Sequence, residues 1–361
     1  MNFPSSQSSE MKFLVLGAGA IGTYIGGSLV LAGYQVVFVE QPRMVEELRQ
    51  KGLRLDLTID ERRKTKDASI VEPRSFVIVP SLEEALNFGP FDAGIFALKS
   101  FDTIPALETL KPFAEKLPPM LCLSNGVDNE PSIANALGKE KVVYGTVTTA
   151  IGRRGPGDII LEKLRGVGVA AGHPLSEKLV AALNNAYLKC QLFPHAEGMK
   201  WSKMLTNLIA NPTSAILNMT AAEVFADRRL YKLEIKMLKE CLAVMKAMNL
   251  EVTDLPGTPV KLLALATKLP LWFSKPFLSK AAGSGRGGKM PSFHIDLYAG
   301  RSQSEVEFLH GAVVREGKAH GIPTPVNQVL TETLMSLTKK EIPLEEFAGK
   351  PEKLLVMLSG K

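Results

Sequence analysis

The chain is poor in the features that mark several large functional classes. It has only three cysteines, Cys122, Cys190 and Cys241, with no C-x-x-C pair and no metal-ligand spacing. An odd, scattered set argues against a disulfide framework and fits a reducing compartment. The five histidines are scattered too, so no metal is expected. No segment offers the roughly twenty uninterrupted apolar residues of a transmembrane helix, so no membrane partner is expected. Charge of neither sign dominates: 43 basic against 37 acidic residues leave +6. A nucleic-acid footprint would need that excess to be clustered. The one dense basic run in the first half, Arg62-Arg63-Lys64-Thr65-Lys66, reads as a solvated loop, so no nucleic-acid partner is expected. Internal repeats and low-complexity segments are absent. Met1–Glu10 is polar and Ser-rich, without a basic start or an apolar stretch, and reads as a disordered tail rather than a signal peptide. A cytoplasmic location is the expectation that follows.

What is present is ordinary globular material in quantity. A chain of 361 residues, 45% hydrophobic, is long for one core and comfortable for two domains. Lys12 to Leu16 is a short apolar run fit for a strand buried on both faces. It leads straight into Gly17-Ala18-Gly19-Ala20-Ile21-Gly22, which is G-x-G-x-x-G, and a helix-like stretch from Thr23 to Ala32 follows. A second apolar run, Val36 to Val39, ends in Glu40. Strand, glycine turn, helix and acidic strand end together form a dinucleotide-binding fingerprint that the glycines alone would not. In it Gly17 makes the tight turn, Gly19 admits the pyrophosphate and Gly22 lets helix and strand pack closely. The phosphates then sit at the helix N-terminus, where unpaired N–H groups and the dipole favour negative charge. Glu40 can accept from ribose hydroxyls and would repel a 2′-phosphate, which favours NAD, although Arg43 lies close enough to reach such a phosphate.

The α/β alternation continues. Ser81 caps a helix through Asn87, Phe91 to Leu98 is a buried strand ending in Lys99, and Met120 to Ser124 is another ending in Asn125-Gly126. Ligands of open parallel sheets bind beyond the carboxyl ends of the strands, so Lys99 and Asn125 are either site residues or turn residues. Val142–Ile151 and Asp158–Lys163 read as strands joined at Gly155-Pro156-Gly157, an antiparallel extension of the sheet. A helix over Ser176–Tyr187 and a short strand before Pro194 close the half.

From about Glu197 the pattern turns to long helices: Glu197–Ala210, Leu230–Met248, Gln303–His320 and Val326–Leu337. A cleft between the halves is the expected active site. Leu255–Pro291 mixes apolar pieces with a basic, glycine-rich stretch from Lys280 to Lys289. It reads as extra helix with a flexible loop over the cleft, or as a surface for membrane contact. On the first long helix Lys203 and Asn207 share a face at i and i+4. Asn211 continues it at i+8, but precedes Pro212, where the helix should kink or end.

These residues carry a resemblance to the ketopantoate reductase (2-dehydropantoate 2-reductase) family over nearly the whole chain. Its segments are Gly17–Gly22, Leu98-Lys99, Ser124-Asn125-Gly126, and Trp201-Ser202-Lys203 through Asn207 to Asn211-Pro212-Thr213-Ser214-Ala215. Met290-Pro291-Ser292, Ser304-Glu305-Val306-Glu307 and His320-Gly321 through Val326-Asn327 follow in order. The resemblance implies NADPH-dependent reduction of the 2-oxo group of ketopantoate, a step towards pantothenate and coenzyme A. It implies Lys203 as catalytic lysine and Glu305 as substrate-orienting carboxylate. It also implies Asn125, Asn207, Asn211 and Ser292 at the substrate, and Lys99 and Asn125 at the cofactor. A homodimer is implied in the same way.

Two departures stand out. Family members commonly carry a small residue and then arginine where this chain has Glu40-Gln41. The stretch Asp296–Glu305 is one residue longer than usual, and Leu255–Pro291 is larger, which bears on the 2-oxo acid accepted. The fold class expected is α/β: a tail over 1–10, a Rossmann NAD(P)-binding domain over 11–193, and an all-helical substrate and dimerisation domain over 194–361. The competing functions are reduction of another branched 2-oxo acid and a non-catalytic NAD-binding regulator. Retention of Lys203 and Glu305 counts against the regulator, which needs no proton donor.

Overall fold

Strand β1 (Lys12–Leu16) sets the plan of the first half. Phe13 and Val15 pack on one face with Tyr24, Ile25 and Leu29. Leu14 and Leu16 pack on the other with Val37, Leu107 and Ile133. A strand covered on both faces must be apolar at every position, which is why the run shows no alternation. Each such side chain, fully buried, contributes about 1.5–3 kcal/mol. A computed structural model describes residues 11–270, 273–275 and 290–359. The tail expected over Met1–Glu10 and the glycine-rich stretch from Lys280 to Lys289 lie outside the described residues.

The next strands are β2 (Gln35–Val39), β3 (Leu53–Asp56), β4 (Ser69–Val71), β5 (Val77–Val79), β6 (Ala93–Phe96) and β7 (Met120–Cys122). They are followed by β8 (Val142–Val147), β9 (Ala150–Gly155), β10 (Asp158–Lys163), β11 (Val167–Ala170) and β12 (Cys190–Phe193). Eight of them form one sheet in the order β12-β11-β8-β7-β6-β1-β2-β5. Its neighbours run parallel except at β8 and β11. With helices on both faces, this is the doubly wound α/β sheet that the alternation predicts. Ser81 caps the helix Leu82–Leu86 as read, its hydroxyl accepting from the Glu84 N–H.

The hairpin is a correction. β9 and β10 pair antiparallel around Pro156-Gly157, but they do not extend the main sheet. They belong to a separate sheet in the order β4-β3-β10-β9, because Asp158–Ile160 pair in parallel with Arg54–Asp56. The single strand read over Val142–Ile151 is two, and its first part, β8, lies in the main sheet between β7 and β11, with Val167 opposite Val147.

The basic run is a second correction. Asp60 is buried and grips Arg62 through both oxygens, at 2.8 and 2.7 Å, while Arg63 lies 3.5 Å away. Arg62 and Arg63 then donate to the carbonyls of Tyr187 (2.5 Å) and Ala186 (2.6 Å). Arg63 is therefore tied to the turn after the helix Ser176–Asn185 rather than solvated, while Arg62 bonds there and stays exposed, as do Lys64, Thr65 and Lys66.

The second half is helical. Its longest helix, Arg228–Ala247, buries Leu230, Leu233, Met237, Leu238, Cys241, Val244 and Met245, an apolar stripe at helical spacing. Against it pack Val306–Ala319 and Pro325–Thr338, which also pack on each other. Shorter helices cover Asn211–Leu217, Ala221–Ala226, Val260–Ala266, Ser292–Tyr298 and Pro351–Ser359. By contacts the chain divides into one unit of 1–125, 129–200 and 255–258 and another of 126–128, 201–254 and 259–361. Leu255–Thr258 joins the first unit partly because the Thr148 hydroxyl donates to the Pro256 carbonyl at 2.8 Å. Among the described residues no helix is long and apolar enough to cross a membrane.

The Asp60 cluster sets an acid-sensitive part of the stability. Burial raises the Asp60 carboxyl, but the hydrogen bonds and charges of Arg62 and Arg63 outweigh it and hold it below its ordinary value. A depressed carboxylate contributes stability fully present above the ordinary aspartate value of about 3.9 and lost as pH falls through the lower folded value. Asp60→Ala should cost about 3–5 kcal/mol at pH 7, since Arg63 is left buried without its counter-charge. Urea unfolding should show that gap narrowing below about pH 4; a gap independent of pH would contradict the assignment.

Candidate active site

In the first unit the candidate residues gather at the carboxyl ends of adjacent parallel strands: Gly17 after β1, Glu40 after β2, Lys99 after β6 and Asn125 after β7. Gly17 has φ +88°, a conformation open to glycine. At Gly22 a Cβ would stand 1.8 Å from the Gly17 carbonyl oxygen, so the helix Ala20–Leu31 reaches its strand only because residue 22 has no side chain. Gly19 has an ordinary φ of −69°, and no protein atom lies within 4 Å of a Cβ built on it. Its lack of a side chain is therefore neither a backbone nor a packing requirement. The Thr23 hydroxyl steadies the turn by donating to the Ala18 carbonyl at 2.9 Å.

No side chain caps this helix, and its first turn, with Ala20 and Ile21, holds no acidic residue. The helix's own first turn thus offers its N–H groups no carboxylate, which fits a dinucleotide pyrophosphate. Glu40 folds back on the same turn. It accepts from the Ala18 N–H at 2.6 Å and from the Gln41 N–H at 2.8 Å. A carboxylate has about four acceptor sites, so these two bonds leave capacity for ribose hydroxyls. Arg43 is exposed on the helix Pro42–Lys51.

A hydrogen-bond lattice ties the ends of β6 and β7 together. The Ser124 hydroxyl donates to the Leu98 carbonyl (2.7 Å), and the Ser100 hydroxyl to the Asn125 carbonyl (2.6 Å). Asn129 donates to that same carbonyl (2.6 Å) and accepts from Thr103 (2.7 Å). Beneath them Lys200 and Glu130 are buried, 2.7 Å apart. Sequence reasoning missed this lattice: its members are short polar residues and one ordinary ion pair, with no spacing that signals them.

In the second unit the helix Ala196–Leu208 carries Lys203 and Asn207, both half-buried. The expected continuous face ends there. Ala210 turns left-handed at φ 52°, and Asn211 opens a new helix with Pro212 in its first turn, where proline's missing N–H is harmless. Buried Glu234 braces the corner, accepting from the Ala210 N–H (2.8 Å) and the Thr213 hydroxyl (2.6 Å). Asn211 is nonetheless brought to its partners. Its amide donates to the Asn207 carbonyl (3.2 Å) and to the Ser292 hydroxyl (3.4 Å), and its oxygen accepts from the Phe293 N–H (3.1 Å). Glu305 is buried and precedes the helix Val306–Ala319, without a capping side-chain hydrogen bond. That helix starts later than read, and ahead of it the Ser304 hydroxyl accepts from the Val306 N–H (3.3 Å).

Other chemistries find no footing. All three cysteines are free and buried, and burial pushes their thiols up, so none is poised as a nucleophile. Burial pushes the His310 imidazole down to about 3, leaving it neutral beside Asn327. Among the described residues no group of acidic, cysteine and histidine side chains could hold a metal ion.

The family model for "Ketopantoate reductase PanE/ApbA" matches residues 13–171, and that for its C-terminal part matches residues 195–338. The chain belongs to the ketopantoate reductase family. The 2-dehydropantoate 2-reductase of Archaeoglobus fulgidus is 27% identical over 322 residues, 88% of this chain and 94% of that one. The Pyrococcus horikoshii relative of the same name is 23% identical over 327 residues, 89% and 95% of the two chains. A PanE/ApbA family ketopantoate reductase from Ralstonia eutropha JMP134 superposes with a TM-score of 0.75 at 24% identity, over 92% of this chain and 99% of that one. D-Mandelate dehydrogenase, solved with NADH and anilino(oxo)acetate, gives 0.73 at 20% identity over 91% and 99%. At these identities the structural likenesses show the fold. Membership of the ketopantoate reductase family makes the chain one of a family of NAD(P)-dependent oxidoreductases.

The glycine turn yields a paired prediction. Gly19→Ala should leave thermal stability within about 0.5 kcal/mol of the parent while sharply weakening NADH binding, read by nicotinamide fluorescence. Gly22→Ala should instead cost about 1–3 kcal/mol or more through overpacking. Undiminished NADH binding by Gly19→Ala would contradict the cradle.

Proposed function

We propose that the chain is a 2-dehydropantoate 2-reductase that reduces the 2-oxo group of ketopantoate to pantoate. The observation that carries the reading is the bonded set Asn207, Asn211 and Ser292, which includes the residue one turn beyond Lys203, in a chain whose two halves both match the family. Bound NAD(P)H supplies the hydride. Gly17, Gly19 and Gly22 with the start of their helix hold its pyrophosphate, and Lys99 and Asn125 contact it from their strand ends. Reduction at C2 places negative charge on the former carbonyl oxygen. The Lys203 ammonium stabilises that charge and donates the proton. Glu305 accepts from a substrate hydroxyl, while Asn207, Asn211 and Ser292 orient the oxo acid without adding charge.

Glu40 favours NADH over NADPH in this reading, since a 2′-phosphate would meet a carboxylate that already holds the glycine turn. A second reading is supported by the fold shared with D-mandelate dehydrogenase and by the enlarged stretch between Leu255 and Pro291: reduction of another branched or bulky 2-oxo acid with the same residues in the same roles.

Steady-state oxidation of NADH and of NADPH with ketopantoate tests the proposal. Turnover with ketopantoate is expected, faster with NADH, and Glu40→Ala should narrow the preference. Lys203→Ala should lower kcat by about 10²–10⁴-fold with a smaller effect on KM. Near-normal turnover in that variant would remove the lysine from the mechanism. Turnover confined to a different 2-oxo acid would select the second reading.

A further inference from the structure

The first unit contains a buried ion pair that the proposed chemistry does not use. Lys200 and Glu130 are 3% and 0% exposed, and Nζ meets Oε1 at 2.7 Å. The ammonium also donates to the Ser124 carbonyl at 2.8 Å and the Gly145 carbonyl at 3.3 Å. Lys200 therefore grips the last residue before Asn125 and the middle of β8. Ser124 in turn holds Leu98 by its hydroxyl, so one ammonium anchors the backbone leading to both Asn125 and Lys99.

Charges buried so fully are poorly explained as stabilisers, because desolvation cancels much of what their attraction returns. Burial pushes the Glu130 carboxyl up, and the charge of Lys200 opposes that shift. Apolar side chains of similar volume would fill the same space without burying a charge, but they could not bind two carbonyls. What the pair adds is a fixed direction for the β7 end. Nor is Lys200 a rival proton donor to Lys203, three residues later on the same helix, since its bonds are directed into the sheet.

We propose that Lys200, held by Glu130, is a positioning residue that sets the Leu98-Lys99 and Ser124-Asn125 strand ends for hydride transfer. The inference rests on the reductase reading for its kinetic consequence, but not for its structural one.

The test compares Lys200→Met and Glu130→Leu singly and together. Each single variant strands a buried charge and should lower Tm by about 10 °C. The double variant removes the stranded charge and should recover part of that loss, since the Ser124 and Gly145 carbonyls remain without their donor. Its kcat for the oxo acid should nevertheless stay about ten- to hundredfold below the parent, with KM and NADH affinity changed less. Amide hydrogen exchange over residues 122–126 should quicken in the double variant while exchange in β1 and β2 is unchanged. A double variant with parental kcat and parental exchange over 122–126 would overturn the inference and leave the pair a structural one. If the parent enzyme reduces no 2-oxo acid, the reductase reading fails, and the exchange comparison still decides whether Lys200 orders the strand ends.

Discussion

The contact on which the first half depends is the approach of the helix Ala20–Leu31 to β1, where the Gly17 carbonyl occupies the space a side chain at position 22 would need. Because the two elements meet there, the helix start is set directly beyond the strand end. Its N–H groups are then aimed past Gly19, where no side chain intervenes. The same closeness lets Glu40, one strand over, reach the Ala18 N–H. One missing Cβ thus places the anion-binding turn and the carboxylate beside it in a single rigid arrangement.

The neighbouring strand ends are organised by a different means. Side-chain hydrogen bonds to backbone carbonyls hold the approaches to Lys99 and Asn125, with Ser124, Ser100, Asn129 and Lys200 as donors. In the second unit Glu234 does comparable work, bracing the corner between two helices so that Asn211 can bond Asn207 and Ser292. Buried polar groups of this sort cost desolvation unless fully bonded, and in return they specify one conformation. Here they fix the backbone around the candidate residues.

Much of the architecture could be read before any coordinates, because it follows from local pattern. The unbroken apolar run of β1, the spacing of Gly17, Gly19 and Gly22, and Glu40 at the end of β2 all lie within thirty residues and imply one another. A break near Asn211-Pro212 was legible from the proline, although it falls at Ala210 and Asn211 itself opens the next helix. What escaped is what depends on distant partners. Lys200 and Ser124 are 76 positions apart, and nothing distinguishes Lys200 in sequence from a solvated helix lysine. Arg63 was misread for the same reason, since its acceptor at Ala186 is more than a hundred residues away. The β9–β10 hairpin formed as its turn residues required, but a hairpin carries no information about which edge it will join.

Direct transfer of hydride from the nicotinamide to C2 of a 2-oxo acid is the central step of the proposed reaction, and isotope transfer tests it more directly than a rate does. The enzyme would be given ketopantoate with NADH carrying deuterium at both positions of nicotinamide C4, and the product's mass would be read. The account predicts pantoate with one deuterium, bonded to C2. Pantoate formed without deuterium, or labelled NADH bound with no label passing to ketopantoate, would contradict it.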